Sequence, residues 1–221
     1  MEKTVLITGA NRGIGLSLTQ HYRAAGCAVF AVCRQRSAAL ASSGATVLDN
    51  VDVTDSEAIA QLVERLGDAS IDLLINNAGI LQNEVLGHID YASIQQQFEV
   101  NTLGPLKITE ALLPKLNDAA KIAMITSRMG SIADNGSGGR YGYRMSKAAL
   151  NIASVSLAHD LRARGIAVAI IHPGLVGTEM IGGQGDVTPD EAAERIVARI
   201  DALTLSTSGQ FWHANGEPLP W

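Results

Sequence analysis

Short apolar runs, rich in valine and isoleucine, alternate along the chain with longer amphipathic stretches. The runs fall at residues 4–7, 28–32, 46–48, 73–75, 122–125 and 166–171, with a last one near 209–212. None shows clean period-two alternation, as expected of strands covered on both faces. The stretches between them carry helical ends. Thr54-Asp55-Ser56-Glu57 reads as a capping box, and so does Thr188-Pro189-Asp190-Glu191, with proline at the first helical position. Gly165, after Arg162 and Arg164, suits the position just past a helix end. Long helical patterns run over 94–115 and 143–164. Alternation of this kind predicts an α/β fold in which a mostly parallel sheet carries helices on both faces. The loosest segments are 131–140 and 182–187, both rich in glycine.

Length and composition narrow the function. At 221 residues the chain builds one sizeable core and is expected to be a single domain over 1–221. Its net charge of -5 leaves no basic footprint, which argues against nucleic acid as a partner. No apolar run approaches the ~20 residues of a membrane span. The first residues lead directly into a strand-like run, so no leader peptide is expected. Cys27 and Cys33 are expected to be free thiols of a cytoplasmic protein.

The first run is followed by Thr8-Gly9-Ala10-Asn11-Arg12-Gly13-Ile14-Gly15 and then by a helical pattern. Glycines there let the backbone turn sharply and approach a pyrophosphate, and the helix N-terminus offers free N–H groups. The second run ends Cys33-Arg34-Gln35-Arg36, without a carboxylate for a ribose 2′-hydroxyl. Arg34, with Arg12 beneath it, is placed for a 2′-phosphate, and this favours NADP(H) over NAD(H); Arg36 reads as a solvated charge. Asp52, before Val53, suits either the adenine amino group or a helix start. Asn76-Asn77-Ala78-Gly79 suits a turn, either beside a cofactor or purely structural.

Tyr143 and Lys147 are four apart on a helical pattern and share a face. A free phenol, with a pKa of ~10, is a poor acid–base group near neutrality, and a neighbouring ammonium lowers it. Ser127 ends the fifth run, at the sheet edge where ligands bind, and its hydroxyl can polarise a carbonyl oxygen; Thr126 and Ser131 compete for that role. Asn101 lies inside the helical pattern 94–115. Pro105, four residues on, has no N–H for its carbonyl, so the helix should kink there and leave the carbonyl free to hold a water.

In this order and spacing, these residues resemble the classical short-chain dehydrogenase/reductase family over nearly the whole chain. Thr8–Gly15, Tyr143–Lys147 and the closing Gly216-Glu217-Pro218-Leu219-Pro220-Trp221 look most like its sniffer-type carbonyl reductase and C-factor-like subgroup. The resemblance implies a Rossmann domain with a seven-stranded sheet and a catalytic tetrad of Asn101, Ser127, Tyr143 and Lys147. It implies NADP(H) bound by Gly9, Asn11, Arg12, Gly13, Ile14, Gly15 and Arg34. Asp52, Val53, Asn77, Ala78, Gly79, Tyr143 and Lys147 would continue that site, with Pro173, Gly174, Val176 and Thr178 on the carboxamide side.

The segment 179–187 is short for a substrate lid, and its glycines suggest a mobile flap. An apolar pocket of Ile80, Leu81, Met129, Leu175, Met180 and Ile181 is expected to take a small apolar aldehyde, ketone or quinone. The expected reaction is carbonyl reduction with Tyr143 as general acid. The alternative is a nucleotide-binding signalling protein with little turnover. The family resemblance further suggests a homodimer, or a tetramer, paired through helices 94–115 and 143–164 with Ala148, Ala149, Ile152, Val155 and Leu157 on the contact face.

Overall fold

The computed structural model describes residues 2–221. Seven parallel strands form one sheet in the order β3-β2-β1-β4-β5-β6-β7. They are β1 (Thr4–Thr8), β2 (Ala28–Val32), β3 (Thr46–Leu48), β4 (Ile71–Asn76), β5 (Leu116–Ile125), β6 (Ala167–His172) and β7 (Phe211–His213). The helices are α1 (Gly13–Ala24), α2 (Ala38–Ala41), α3 (Ser56–Arg65), α4 (Tyr91–Phe98), α5 (Gly104–Leu112), α6 (Tyr141–Asp160) and α7 (Pro189–Asp201).

Alternate strand residues feed two separate cores. Val5, Ile7, Leu73 and Ile75 pack with Leu18 and Tyr22 of α1 and Ile196 and Ile200 of α7. Leu6, Leu74, Ile122 and Val168 pack on the other face with Ile59 and Leu62 of α3, Ile108 and Leu112 of α5, and Leu150 of α6. This double covering explains the continuous apolar runs of the sequence. Each fully buried leucine or isoleucine contributes roughly 1.5–3 kcal/mol of transfer free energy. The strand order reverses between β1 and β4, and the carboxyl ends of such a pair open a crevice for a ligand.

Local chemistry at the helix ends follows the sequence with one correction. Thr188 and Glu191 form the expected capping box, with Pro189 opening α7. At α3 the cap is Asp55, whose carboxylate accepts the Glu57 and Ala58 N–H groups. Thr54 instead donates its N–H and hydroxyl to Asp52 Oδ1, at 2.9 and 2.8 Å. A charged acceptor placed one residue later satisfies the helix dipole better than the hydroxyl does.

The long pattern 94–115 is broken where Pro105 demanded it. A π-helical turn, Glu99–Leu103, joins α4 to α5, and the Gly104 N–H reaches back five residues to Glu99 O. The sixth helix presents less apolar surface than expected. Val155 packs against Ile170, Phe211 and Leu219, and Leu157 packs on the second core, because the end of α6 lies flat on the sheet. Ile152 remains exposed. Cys27 and Cys33 are buried free thiols.

Candidate active site

The turn after β1 is shaped by what its glycines allow. Gly9 has φ +66°, and a Cβ there would come within 2.8 Å of the Ala78 backbone. A Cβ on Gly15 would overlap the Gly9 carbonyl oxygen. Thr8 and Asn77 stitch this turn to the one after β4. Thr8 Oγ1 accepts the N–H groups of Asn77 and Ala78, both at 3.1 Å, and Asn77 Nδ2 donates to Thr8 O at 3.0 Å. The N-cap residue of α1, Arg12, makes no side-chain cap, and the first turn holds no acid. The free N–H groups of α1 therefore remain available to an anion.

A cavity of about 980 Å³ opens over this turn. Gly9, Asn11, Arg12, Gly13, Ile14 and Gly15 line its floor, and Arg34, Asp52 and Val53 line the end above β2 and β3. Asn77, Ala78 and Gly79 line its middle, opposite Pro173, Gly174, Val176 and Thr178. Ser127, Tyr143 and Lys147 line the far half, with Ile80, Leu81, Met129, Leu175, Met180 and Ile181 at its mouth. A cradle that a Cβ would fill, an uncapped helix N-terminus and two guanidinium groups fit a phosphorylated dinucleotide. Both arginines have acidic neighbours that the strand pattern did not reveal. Arg12 pairs with Glu179, and Arg34 lies 3.9 Å from Asp52. Arg36 pairs with Asp49 at 3.3 Å.

Asn101 does not line the cavity. It is fully buried, and its amide clamps Ile80: Oδ1 accepts the Ile80 N–H at 2.8 Å, and Nδ2 donates to Ile80 O at 2.9 Å and to Ser146 Oγ at 3.0 Å. The same Oδ1 and Lys147 Nζ both flank Gly79. Of the three candidate hydroxyls, Thr126 donates to Asn151 and Ser131 caps a turn by accepting the Asp134 N–H. Ser127, which accepts the Met129 N–H, lines the cavity beside Tyr143.

Lys147 is 4% exposed and donates to Ile125 O at 3.0 Å. Burial lowers its pKa to about 8. The expected effect on Tyr143 is reversed. Burial raises the phenol, while the hydrogen-bonding influence of Ser127 and the charge of Arg140 pull it down. Lys147 Nζ lies 5.8 Å from the Tyr143 ring centroid. The reason for the reversal is that desolvation penalises the phenolate more than its neighbours stabilise it.

Four further groups line the cavity that sequence reasoning missed: Arg128, Arg140, His172 and His213. His172 ends β6 and pairs in register with His213 of β7, and their rings meet edge-on at 4.9 Å. Burial, His213 and Arg128 together lower the His172 pKa to about 3, and its buried Nδ1 has no partner. Only the β6–β7 register could have placed these two rings together.

The lid is tied to the segment before it. Its backbone is held down: Gly177 N–H donates to Val187 O, Asp186 N–H to Leu175 O and Gly183 N–H to Thr178 O. Gly185 serves close approach, since a Cβ there would come within 2.6 Å of Leu175 O.

Comparisons with known proteins agree with this geometry. The family model for short chain dehydrogenase matches residues 3–188. A 1-hydroxy-2-glutathionyl-2-methyl-3-butene dehydrogenase of a Rhodococcus species is 42% identical over 99% of both chains. The C-signal protein of Myxococcus xanthus is 44% identical over 68% of this chain and 93% of its own. An NADPH-bound carbonyl reductase from chicken fatty liver superposes with a TM-score of 0.89 at 34% identity, covering 100% of this chain and 99% of that one. The Sniffer carbonyl reductase of D. melanogaster superposes with a TM-score of 0.91 at 31% identity over the whole of both chains. Among the described residues no helix is long and apolar enough to cross a membrane. With its reversed-order parallel sheet, its glycine turn and the Ser127–Tyr143–Lys147 wall, the chain belongs to the short-chain dehydrogenase/reductase family of oxidoreductases.

Proposed function

We propose that the protein is an NADP(H)-dependent carbonyl reductase for small aldehydes, ketones or quinones. One observation carries this reading. A hydroxyl, a phenol and a buried amine converge on one wall of a cavity whose other end is an uncapped helix N-terminus with two arginines. The NADPH-bound chicken reductase supports the choice of cofactor.

Gly9–Gly15 and the α1 N-terminus would hold the pyrophosphate, Arg12 and Arg34 the 2′-phosphate, and Lys147 the nicotinamide ribose. The bound dinucleotide supplies the hydride for the carbonyl carbon. Ser127 donates a hydrogen bond to the carbonyl oxygen and fixes its position. Tyr143 passes its hydroxyl proton to that oxygen as charge develops. Lys147 stabilises the phenolate left behind and returns it to the phenol. Asn101 holds the Ile80 backbone, and so keeps the cavity wall facing Tyr143 in place. A water on its main-chain carbonyl, freed by Pro105, would carry the proton outward.

The reverse direction, oxidation of an alcohol, is a second reading. It is favoured by the full-length match to the Rhodococcus enzyme, which is named as a dehydrogenase of a hydroxy compound. A homodimer paired through α4–α5 and α6 belongs to the same proposal, supported by the exposed Leu106, Met145 and Ile152 on those helices.

Turnover of NADPH against a panel of aldehydes, ketones and quinones tests the chemistry. Tyr143→Phe is expected to lower kcat by about a thousandfold, the weight of a general acid, with NADPH affinity within a few-fold. Full turnover by this variant would overturn the mechanism. NADPH binding by the wild type without turnover on any member of the panel would favour the signalling alternative, for which the C-signal relative speaks.

A further inference from the structure

Every arginine lining the cavity has an acidic neighbour within 4 Å except one. Arg12 and Arg34 face Glu179 and Asp52, and Arg128 holds Asp134 at 2.5 Å. Arg144 is consumed by the loop before it, donating to Gly138 O, Gly139 O, Met129 O and Ser137 Oγ. Arg140 makes no ion pair among the described residues, and its one side-chain hydrogen bond is a weak 3.7 Å contact to Met129 Sδ.

Its backbone is strained in place. Arg140 has φ +50° and ψ +48°, after Gly138 and Gly139 at +62° and +63°. A left-handed arginine is disfavoured, and such strain collects where a side chain is being aimed. Glu84 holds it there. The Glu84 carbonyl accepts the Arg140 N–H at 3.2 Å, and its carboxylate accepts the Gly142 N–H at 3.0 Å. That carboxylate is 3% exposed and also takes donors from Ser93 and Gln97. It is therefore turned into the protein and bound by three donors from α4 and α6, and it makes no ion pair with the Arg140 guanidinium.

Arg140 also stands between two cavities. A second one, of about 520 Å³, adjoins it and is lined by Glu84, Val85, Leu86, Ser137 and Tyr141, the Glu84 carboxylate being taken up by its Ser93, Gln97 and Gly142 donors. Arg140 and Met129 line both this cavity and the one holding Tyr143. A molecule whose reacting carbon sits at Tyr143 can extend past the Met129 side chain and present an anion to Arg140.

We propose that Arg140 and the second cavity form a carboxylate-binding subsite, so that the preferred substrates are carbonyl–alcohol pairs carrying a carboxylate on a short apolar spacer. The inference rests on the carbonyl chemistry proposed above and names its substrate class. A guanidinium suits a carboxylate because it presents paired N–H donors in one plane. The apolar flank of Val85, Leu86 and Met129 suits the spacer.

The test compares 4-formylbenzoate with its methyl ester, which share one aldehyde and differ in charge. The wild type should prefer the acid. Arg140→Gln should lower the acid-to-ester ratio of kcat/KM by about tenfold, the weight of one charge-assisted hydrogen bond, through KM of the acid. Any influence of Arg140 on Tyr143 acts on both aldehydes and cancels in the ratio. Arg140→Lys should restore part of the preference. An unchanged ratio overturns the subsite. Should the wild type reduce neither aldehyde, benzoate titrated into the protein by calorimetry decides the subsite independently of the carbonyl reading, which the wider panel tests. Benzoate binding weakened about tenfold in Arg140→Gln upholds the subsite; equal binding, or none to the wild type, overturns it.

Discussion

At its cofactor end the cavity wall is main chain, and at its substrate end it is side chains drawn from separate segments. Gly9 and Gly15 line the first because nothing larger fits the close approach of β1 to the turn after β4, and Gly13, at φ +51°, faces the Thr178 methyl. Arg128, Arg140, His172 and His213 line the second from a short turn, a strained loop and two strand ends. A backbone cradle tolerates almost no change at its own positions. A side-chain wall can be rebuilt one residue at a time, which is how one fold comes to serve many substrates.

The sharpest way to break that contrast is a single methyl group. Gly15→Ala places a Cβ on top of the Gly9 carbonyl oxygen and within 2.6 Å of Asn77 Nδ2. Overpacking against main chain has no rotamer by which to escape. We expect a loss of about 4 kcal/mol, close to a thousandfold, in dinucleotide affinity, stability or both. Calorimetric titration of NADPH with a thermal melt checks it. Substitution at the substrate end, such as Met180→Ala, should leave NADPH binding nearly intact and act on KM.

The same contrast explains what could be read from the sequence. The seven strands, the α7 capping box and the Asn101–Pro105 irregularity were legible because each is local: an apolar run, an N-cap, a missing N–H. The glycine turn was legible because its spacing encodes its geometry. The acids facing Arg12 and Arg34 were not, since Glu179 arrives from 167 residues away and Asp52 from the loop after β3. The clamp that Asn101 places on Ile80 was also hidden. Its side chain serves a neighbouring loop, whereas the sequence pointed only to its carbonyl. The histidine pair required knowing that β7 lies beside β6.

Lys147 stands at the seam between the two ends and carries a different cost, that of a buried charge. With its folded pKa near 8 against about 10.5 unfolded, the folded protein gives up this proton before the unfolded chain does. Stability from this group is therefore lowest below pH 8 and rises as pH climbs from about 8 to 10.5, by about 3 kcal/mol. Lys147→Met should remove that rise, and should unfold later than the wild type at pH 7 while losing turnover. Urea melts at pH 7 and pH 9.5 give the comparison. A wild-type curve that falls across the window relative to the variant would contradict the assignment.

The smallest effect concerns a residue that reaches from the lid to the cofactor end. Glu179 precedes Met180 at the cavity mouth, yet its carboxylate holds Arg12 above the glycine turn. The pair is exposed, so its worth is that of a surface ion pair, under about 1 kcal/mol. A 2′-phosphate arriving at Arg12 must displace this carboxylate, whereas a cofactor with a free 2′-hydroxyl need not. Glu179→Gln should therefore tighten 2′,5′-ADP by about two- to fivefold and leave 5′-AMP less affected. The same substitution made beside Arg12→Gln should have no effect on 2′,5′-ADP, because the carboxylate acts through that guanidinium. Equal tightening of both nucleotides would instead make Glu179 a diffuse negative charge over the cavity, and the two ends would then be coupled by field alone.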